Sequence, residues 1–219
     1  MAETDSSIAH SDRESASAVA PDPTVTDLDY RNEVWRKLLH LFALTIPIGY
    51  YIVSNRVAVI VCFTAFLLAL LIDLSRIRNW SIQRFWIRWT APIVRPRERA
   101  GFTGATNILA SAWLCPLLFS LPAAVMGMAT IILGDTAAAL VGRRWGRHRI
   151  RNGRTVEGSL AFLVAATLGG IAVPNLPLSI ALPGALIGTV VEAVTRRVDD
   201  NLSVPIMVAL FADIALQVV

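Results

Sequence analysis

The stretch GDTAAALVGRRWGRHRIRNGRTVEGS, residues 134–159, decides how the rest of the chain is read. It opens on the end of an apolar run, carries six arginines between Arg143 and Arg154, and closes on the start of a second apolar run. One membrane helix, a basic loop and the next membrane helix have that pattern. Asp135 lies within the first run, AAVMGMATIILGDTAAALVG, where a carboxylate is costly enough to be read as functional by default. Gly142, Arg143, Arg144 and Gly146 follow it, then Arg154, Glu157, Gly158 and Ser159. Backbone that a ligand can approach closely, guanidinium groups that clamp phosphate and a metal-binding carboxylate together point to phosphate chemistry at a membrane surface.

Composition supports a membrane class. Of 219 residues 55% are hydrophobic and 16% charged, too apolar for an ordinary soluble domain and too long for a single anchor. Cys62 and Cys115 both fall in apolar runs and read as small buried hydrophobes, not as a disulfide or a metal pair. Eight of the sixteen acids lie in the first 33 residues, so the sign asymmetry along the chain says more than the net charge of +4. Residues 1–30, rich in Ser, Ala, Asp and Glu, are expected to form a disordered acidic tail, and they lack the basic start and apolar core of a signal peptide.

Residues 31–219 are expected to form one polytopic all-α membrane domain. Seven apolar runs, at 34–54, 56–74, 103–120, 122–142, 157–174, 178–195 and 202–219, approach the roughly 20 residues a bilayer requires. With seven spans, the amino terminus and the second, fourth and sixth connections share one side. Nineteen of the twenty basic residues fall there and only Arg56 lies opposite, which predicts a cytoplasmic amino terminus. The second connection contains NWSIQRFWIRWTAPIVR, where Ile82, Phe85, Trp86, Trp89 and Ile93 follow helical spacing. An amphipathic interfacial helix is expected there, with its tryptophans at the headgroup boundary.

Several polar positions admit two readings. Arg36, Lys37 and His40, in RKLLH at the entry to the first span, suit a topology signal or a catalytic cluster, and His40 alone more often packs than acts as a base. Thr103, Gly104 and Thr106, in TGATN at the start of the third, could hold a phosphate at a helix amino terminus or simply pack closely against a neighbour. A structural ion pair would explain Asp135 by itself. It would not explain the convergence of Asp135, Glu157, Glu192 and the Asp199-Asp200-Asn201 run, from four helices, on one side. These oxygen donors beside an arginine cluster suit magnesium and substrate phosphates. Asp73 is expected to pair with Arg76, and Asp213 is left with an interhelical hydrogen bond or a misplaced span.

Taken in order, RKLLH (36–40), TGATN (103–107), GDTAAALVGRRWG (134–146), RTVEGS (154–159) and VEAVTRRVDDNLSVP (191–205) resemble the CTP-dependent lipid-alcohol kinases, the group of dolichol kinase, phytol kinase and CTP-dependent diacylglycerol kinase. The resemblance implies transfer of the terminal phosphate of CTP to the hydroxyl of a membrane lipid, with a divalent metal, and the charge distribution predicts that the motifs lie on the cytoplasmic face of the cell membrane. The resemblance marks Arg36, Lys37, Asp135 and Gly142 as required, matches Glu157, Gly158 and Ser159 to a Glu-Gly-Ser element, and matches Asp200, Asn201 and Pro205 to Asp-Asn and Pro positions. Arg154 stands where the family commonly has lysine, and Asn107 where an aromatic is expected. In the mechanism this suggests, Asp135, Glu157, Asp200 and Asn201 hold Mg2+ on the nucleotide, while Arg36, Lys37 and some of Arg143, Arg144 and Arg154 neutralise its phosphates. Asp135 or His40 takes the hydroxyl proton. The sequence has neither G-x-x-x-x-G-K-[ST] nor a protein-kinase motif set. The partners expected are CTP, a lipid alcohol and the bilayer, with no nucleic acid. Two alternatives stay open: a membrane cytidylyltransferase making a CDP-lipid, and a small transporter or lipid-binding protein.

Overall fold

The computed structural model describes residues 34–78, 101–150, 153–195 and 198–218. The expected acidic tail and interfacial helix lie outside the described residues. Among those described the fold is all helical, the only extended pairing being an isolated bridge between Arg149 and Thr155. The helices are α1 (34–42), α2 (Thr45–Ile52), α3 (Asn55–Ile77), α4 (Gly104–Leu118), α5 (Leu121–Trp145), α6 (Val156–Ile171), α7 (Leu178–Val194) and α8 (Asp200–Leu216).

Each apolar run contains a helix, but the first contains two. Pro47 explains the break. Its ring would strike the carbonyl four residues earlier, at Ala43, and the chain turns at residues 43–44; Pro47 itself then sits in the first turn of α2, where its missing N–H costs nothing. Prolines deeper in helices free carbonyls in the same way, and neighbouring hydroxyls take them up. Pro116 releases the carbonyl of Ala112, which accepts from Tyr50 Oη at 2.5 Å, and Pro205 releases that of Asn201, which accepts from Ser111 Oγ at 2.6 Å. Two helix kinks thereby become two interhelical joints.

Helix α5 is the axis of the bundle. Ala123, Ala124, Met126, Met128, Ile131 and Ile132 on it are fully buried, on several sides at once. Around them lie Phe162 and Ala166 of α6, Ala181 and Ala185 of α7, Val204 and Val208 of α8, and Ala112 of α4, in one hydrophobic cluster. Close approach depends on glycine. A Cβ on Gly127 would collide with the carbonyl oxygen of Pro205, one on Gly134 would lie 2.8 Å from the ring of Phe162, and one on Gly188 2.7 Å from Thr130.

The outer surface is apolar. Leu160, Val164, Leu168 and Ile171 of α6, and Leu178, Leu182, Leu186, Val190 and Val194 of α7, recur every three or four residues and are all exposed. Helices α3, 23 residues, and α5, 25 residues, are long and apolar enough to cross a membrane.

Candidate functional site

The charged side chains gather at one end of this bundle. Lys37 of α1 is buried and makes an ion pair with Asp135 Oδ2 of α5, 98 positions later in the chain. His40, one turn on from Lys37, holds Nε2 at 3.7 Å from the same oxygen, and that nitrogen is buried with no hydrogen-bond partner. Asp135 lies ten residues before the end of α5, about 15 Å along the axis, so the pair sits below the helix ends.

A second network grips the start of α4. Asp73, near the end of α3 and 2% exposed, accepts from Thr103 N at 2.7 Å, Thr103 Oγ1 at 3.0 Å, Thr106 Oγ1 at 2.7 Å and Arg76 Nη2 at 3.0 Å, while Arg76 also donates to the Gly101 carbonyl at 2.5 Å. A helix amino terminus attracts an anion, and here the anion is the protein's own carboxylate. Thr103 and Thr106, two of the residues expected to hold phosphate, thus spend their hydroxyl protons on Asp73. The expected pairing of Asp73 with Arg76 is present as one part of a larger network.

The third network joins α6, α7 and α8. Arg154 Nε lies 3.0 Å from Glu192 Oε1 and its Nη2 3.0 Å from Asp200 Oδ2. Asp199 caps α8, its Oδ1 accepting from Asn201 N at 2.9 Å and Asn201 Nδ2 at 2.8 Å. The Asn201 amide oxygen is left buried with no partner. Burial pushes the Asp200 carboxyl above its usual range, and the Asp135 and Asp199 charges push it the same way; Arg154 opposes them. Asp200 precedes the apolar run at 202–219.

Between these networks lies a cavity of about 370 Å³, in the range of small-molecule sites. Arg36, Lys37, His40, Asp73, Arg76, Thr103, Gly104, Thr106, Asp135, Asp200 and Asn201 all line it. The formal charges of the wall cancel, Arg36, Lys37 and Arg76 against Asp73, Asp135 and Asp200. A polyanion entering it therefore needs further positive charge, from a divalent cation or from arginines outside the wall.

Comparison with known proteins agrees with this chemistry at a distance. The chain is 28% identical to an uncharacterized protein of Rickettsia prowazekii, covering 81% of this chain and 92% of that one. It is 29% identical to CTP-dependent diacylglycerol kinase 1 of Schizosaccharomyces pombe, over 61% of this chain and 63% of the kinase. It is 36% identical to an uncharacterized protein of Methanocaldococcus jannaschii, over 42% of this chain and 48% of that one. No family model and no solved structure matches the chain.

The remaining expected site residues lie outside the cavity lining. Gly142, Gly146 and Gly158 surround Thr155 instead. A Cβ on Gly142 or Gly158 would stand 3.0 Å from Thr155 Oγ1, and one on Gly146 2.5 Å from its methyl. Thr155 is buried and caps α6, its Oγ1 accepting from Gly158 N at 3.1 Å, so these three glycines have a packing role in the turn between α5 and α6. Glu157 closes the same turn, with His148 Nδ1 at 2.7 Å and His148 N donating at 3.2 Å. Ser159 Oγ is buried without a partner. Arg143 and Arg144 are exposed on the last turn of α5, Arg144 packing over the ring of Trp145.

Among the described residues no group of three or more His, Cys, Asp and Glu side chains forms a metal centre by itself. Asp135, Asp200 and Asn201 nevertheless line one cavity, and two carboxylates with an amide oxygen that has no protein partner are donors of the type that fits a hard cation completed by phosphate oxygens and water. Asp73 and Arg76, which were not among the expected ligands, complete the networks, and Glu192, one of the converging acids, pairs with Arg154. Their signal in the sequence was an ionisable residue in an apolar run, the same signal that singled out Asp135.

Proposed function

We propose that the chain is a CTP-dependent lipid kinase that phosphorylates the hydroxyl of a membrane lipid alcohol, diacylglycerol or a polyprenol or phytol-like alcohol. The observation that carries this reading is the cavity that brings Arg36, Lys37 and His40 from α1 to Asp135 and to the Asp200-Asn201 start of α8. The distant likeness to a CTP-dependent diacylglycerol kinase supports the donor and makes diacylglycerol a reasonable first acceptor to try. The exposed apolar faces of α6 and α7, with two helices of membrane-crossing length, support residues 31–219 as one multi-pass unit of seven spans, with the cavity at the cytoplasmic face of the cell membrane.

In this reading the lipid oxygen bonds to the γ-phosphorus as the bond from that phosphorus to the bridging oxygen breaks, and CDP leaves with the electron pair. His40 takes the hydroxyl proton, because it lines the cavity and its Nε2 has no hydrogen-bond partner, whereas Asp135 Oδ2 is already engaged by Lys37. Arg36 and Lys37 offset charge on the transferring phosphoryl group. Asp135, Asp200 and Asn201 would hold a magnesium ion, which would supply the remaining neutralisation of the nucleotide. Arg143, Arg144, Arg154, Glu157 and Ser159 serve the nucleotide from the turn between α5 and α6, and Gly142, Gly146 and Gly158 keep that turn tight.

The test is lipid labelling by purified protein in mixed bilayers with magnesium and CTP labelled in the γ or the α phosphate. Transfer of the γ label alone to an added alcohol is expected. Transfer of the α label would make the protein a cytidylyltransferase, and no transfer to any of a broad panel of lipids would return it to transport or binding.

A further inference from the structure

The cavity changes character along its length. On α1 the lining residues are Arg36, Lys37, Leu39 and His40, with Ala43 in the turn that follows, and on α3 they are Ala69, Ile72, Asp73 and Arg76. Positions 36 and 39/40, and 69, 72/73 and 76, are single helical faces at three- and four-residue spacing, and Ala43 continues the first of them into the turn after α1. Arg36 and Lys37 lie near the start of α1 and Arg76 near the end of α3, so both stripes pass from charge to hydrocarbon away from those ends. Arg36, Lys37, His40, Asp73 and Arg76 stand toward the charged end and Ala43 and Ala69 farther into the apolar runs, and Ile108 of α4 adds a further apolar side chain to the lining. The stripe on α3 covers about 10 Å of rise. Leu39, on the rim, is 53% exposed, and α3 keeps Leu67, Leu68 and Leu71 on its outer surface. A ligand with a polar head and an apolar body matches this gradient; a nucleotide alone leaves its apolar part unused.

We propose that the cleft between α1 and α3 holds the hydrocarbon chain of the lipid acceptor, with Ala43 and Ala69 setting its width and the hydroxyl brought up to His40 and Asp135. This rests on the kinase reading for the identity of the hydroxyl, but not for the presence of a lipid. The small side chains at 43 and 69 leave room that Leu or Phe would fill, so they are the positions that decide how bulky a chain enters.

The experiment uses the full-length protein in phosphatidylcholine vesicles containing a diacylglycerol with a diazirine in one acyl chain, irradiated and mapped by peptide mass spectrometry. Adducts are expected within 39–43 and 69–72, and unlabelled diacylglycerol competes for them. Ala69→Phe lowers that labelling at least about tenfold while the outward Leu68→Phe leaves it unchanged. Ala43→Leu, on the facing wall, gives the same loss and serves if Ala69→Phe does not fold. Adducts spread without competition over the outer faces of α6 and α7, or labelling indifferent to both wall variants, overturn the proposal. Saturable labelling of the cleft without γ-phosphate transfer keeps the lipid site and removes the kinase reading; transfer without cleft labelling does the reverse.

Discussion

Lys37 and Asp135 show what a single ion pair does here, because the lysine is buried and the aspartate lies well inside α5. Removing one partner leaves an uncompensated charge, which costs about 3–5 kcal/mol, whereas replacing both with apolar groups costs far less. Asp135→Asn is therefore expected to lower both thermal stability and lipid phosphate formation, the latter by at least about a hundredfold if the carboxylate holds the transition-state cation. A Lys37→Met, Asp135→Leu double variant is expected to regain the melting temperature and none of the turnover. Recovery of both would make the pair structural only. Asp73 carries a different expectation: Asp73→Asn weakens three charge-assisted bonds to Thr103 and Thr106 and should cost about 2–4 kcal/mol in denaturant unfolding, with Thr106→Ala costing less. The sequence made Asp73 and Asp135 conspicuous by their apolar surroundings, and Arg76 was a visible partner at three residues' distance. It could not supply Lys37 as the partner of Asp135 or Thr106 as that of Asp73, since 98 and 33 positions intervene and only packing brings them together.

Among elements, the apolar runs were legible because a helix that is hydrophobic on every face leaves nothing to confuse with it. What periodicity did not reveal was the order of burial. All the runs look alike by composition, yet α5 is enclosed and α3 is mostly exposed. The difference lies in where small residues allow close approach. Gly127 faces the Pro205 carbonyl of α8, a backbone atom that cannot swing aside, so Gly127→Ala should destabilise the fold by about 1–3 kcal/mol. Gly49 of α2 has nothing within 4 Å of a Cβ, and Gly49→Ala should be neutral or gain up to about 1 kcal/mol. Thermal unfolding of the two variants side by side measures the contrast, and equal effects would mean that α5 and α8 do not approach as closely as described. Gly142, Gly146 and Gly158 belong to the same account. The sequence showed flexible backbone near arginines, and the fold employs it around the Thr155 side chain.

Across the whole molecule, charge is distributed as the loop arginines alone suggested. Among the described residues only Arg56 and Asp213 lie at the end opposite the cavity, and Asp213 is accounted for by the Ser120 N–H it accepts at 2.8 Å, at the start of α5. This is the interhelical hydrogen bond the sequence left as one of two explanations. Because lysines and arginines accumulate on the cytoplasmic side of membrane proteins, a bundle with one densely charged and one nearly uncharged end is expected to insert with the charged end inside. Cys62 and Cys115 are buried, so a cysteine introduced at an exposed position is the one a membrane-impermeant maleimide reaches. Arg147→Cys, in the turn between α5 and α6, is expected to react only from the cytoplasmic side, and Arg56→Cys, at the start of α3, only from the outside. Reaction of both from the same side would put an even number of crossings between them and exclude a seven-span arrangement. Reaction of Arg147→Cys from the outside alone would invert the molecule, and a kinase site there would have no access to cytoplasmic CTP. The proposed orientation is thus a condition of the proposed chemistry, because cytoplasmic CTP reaches the cavity only if the charged end, where the cavity lies, is inside.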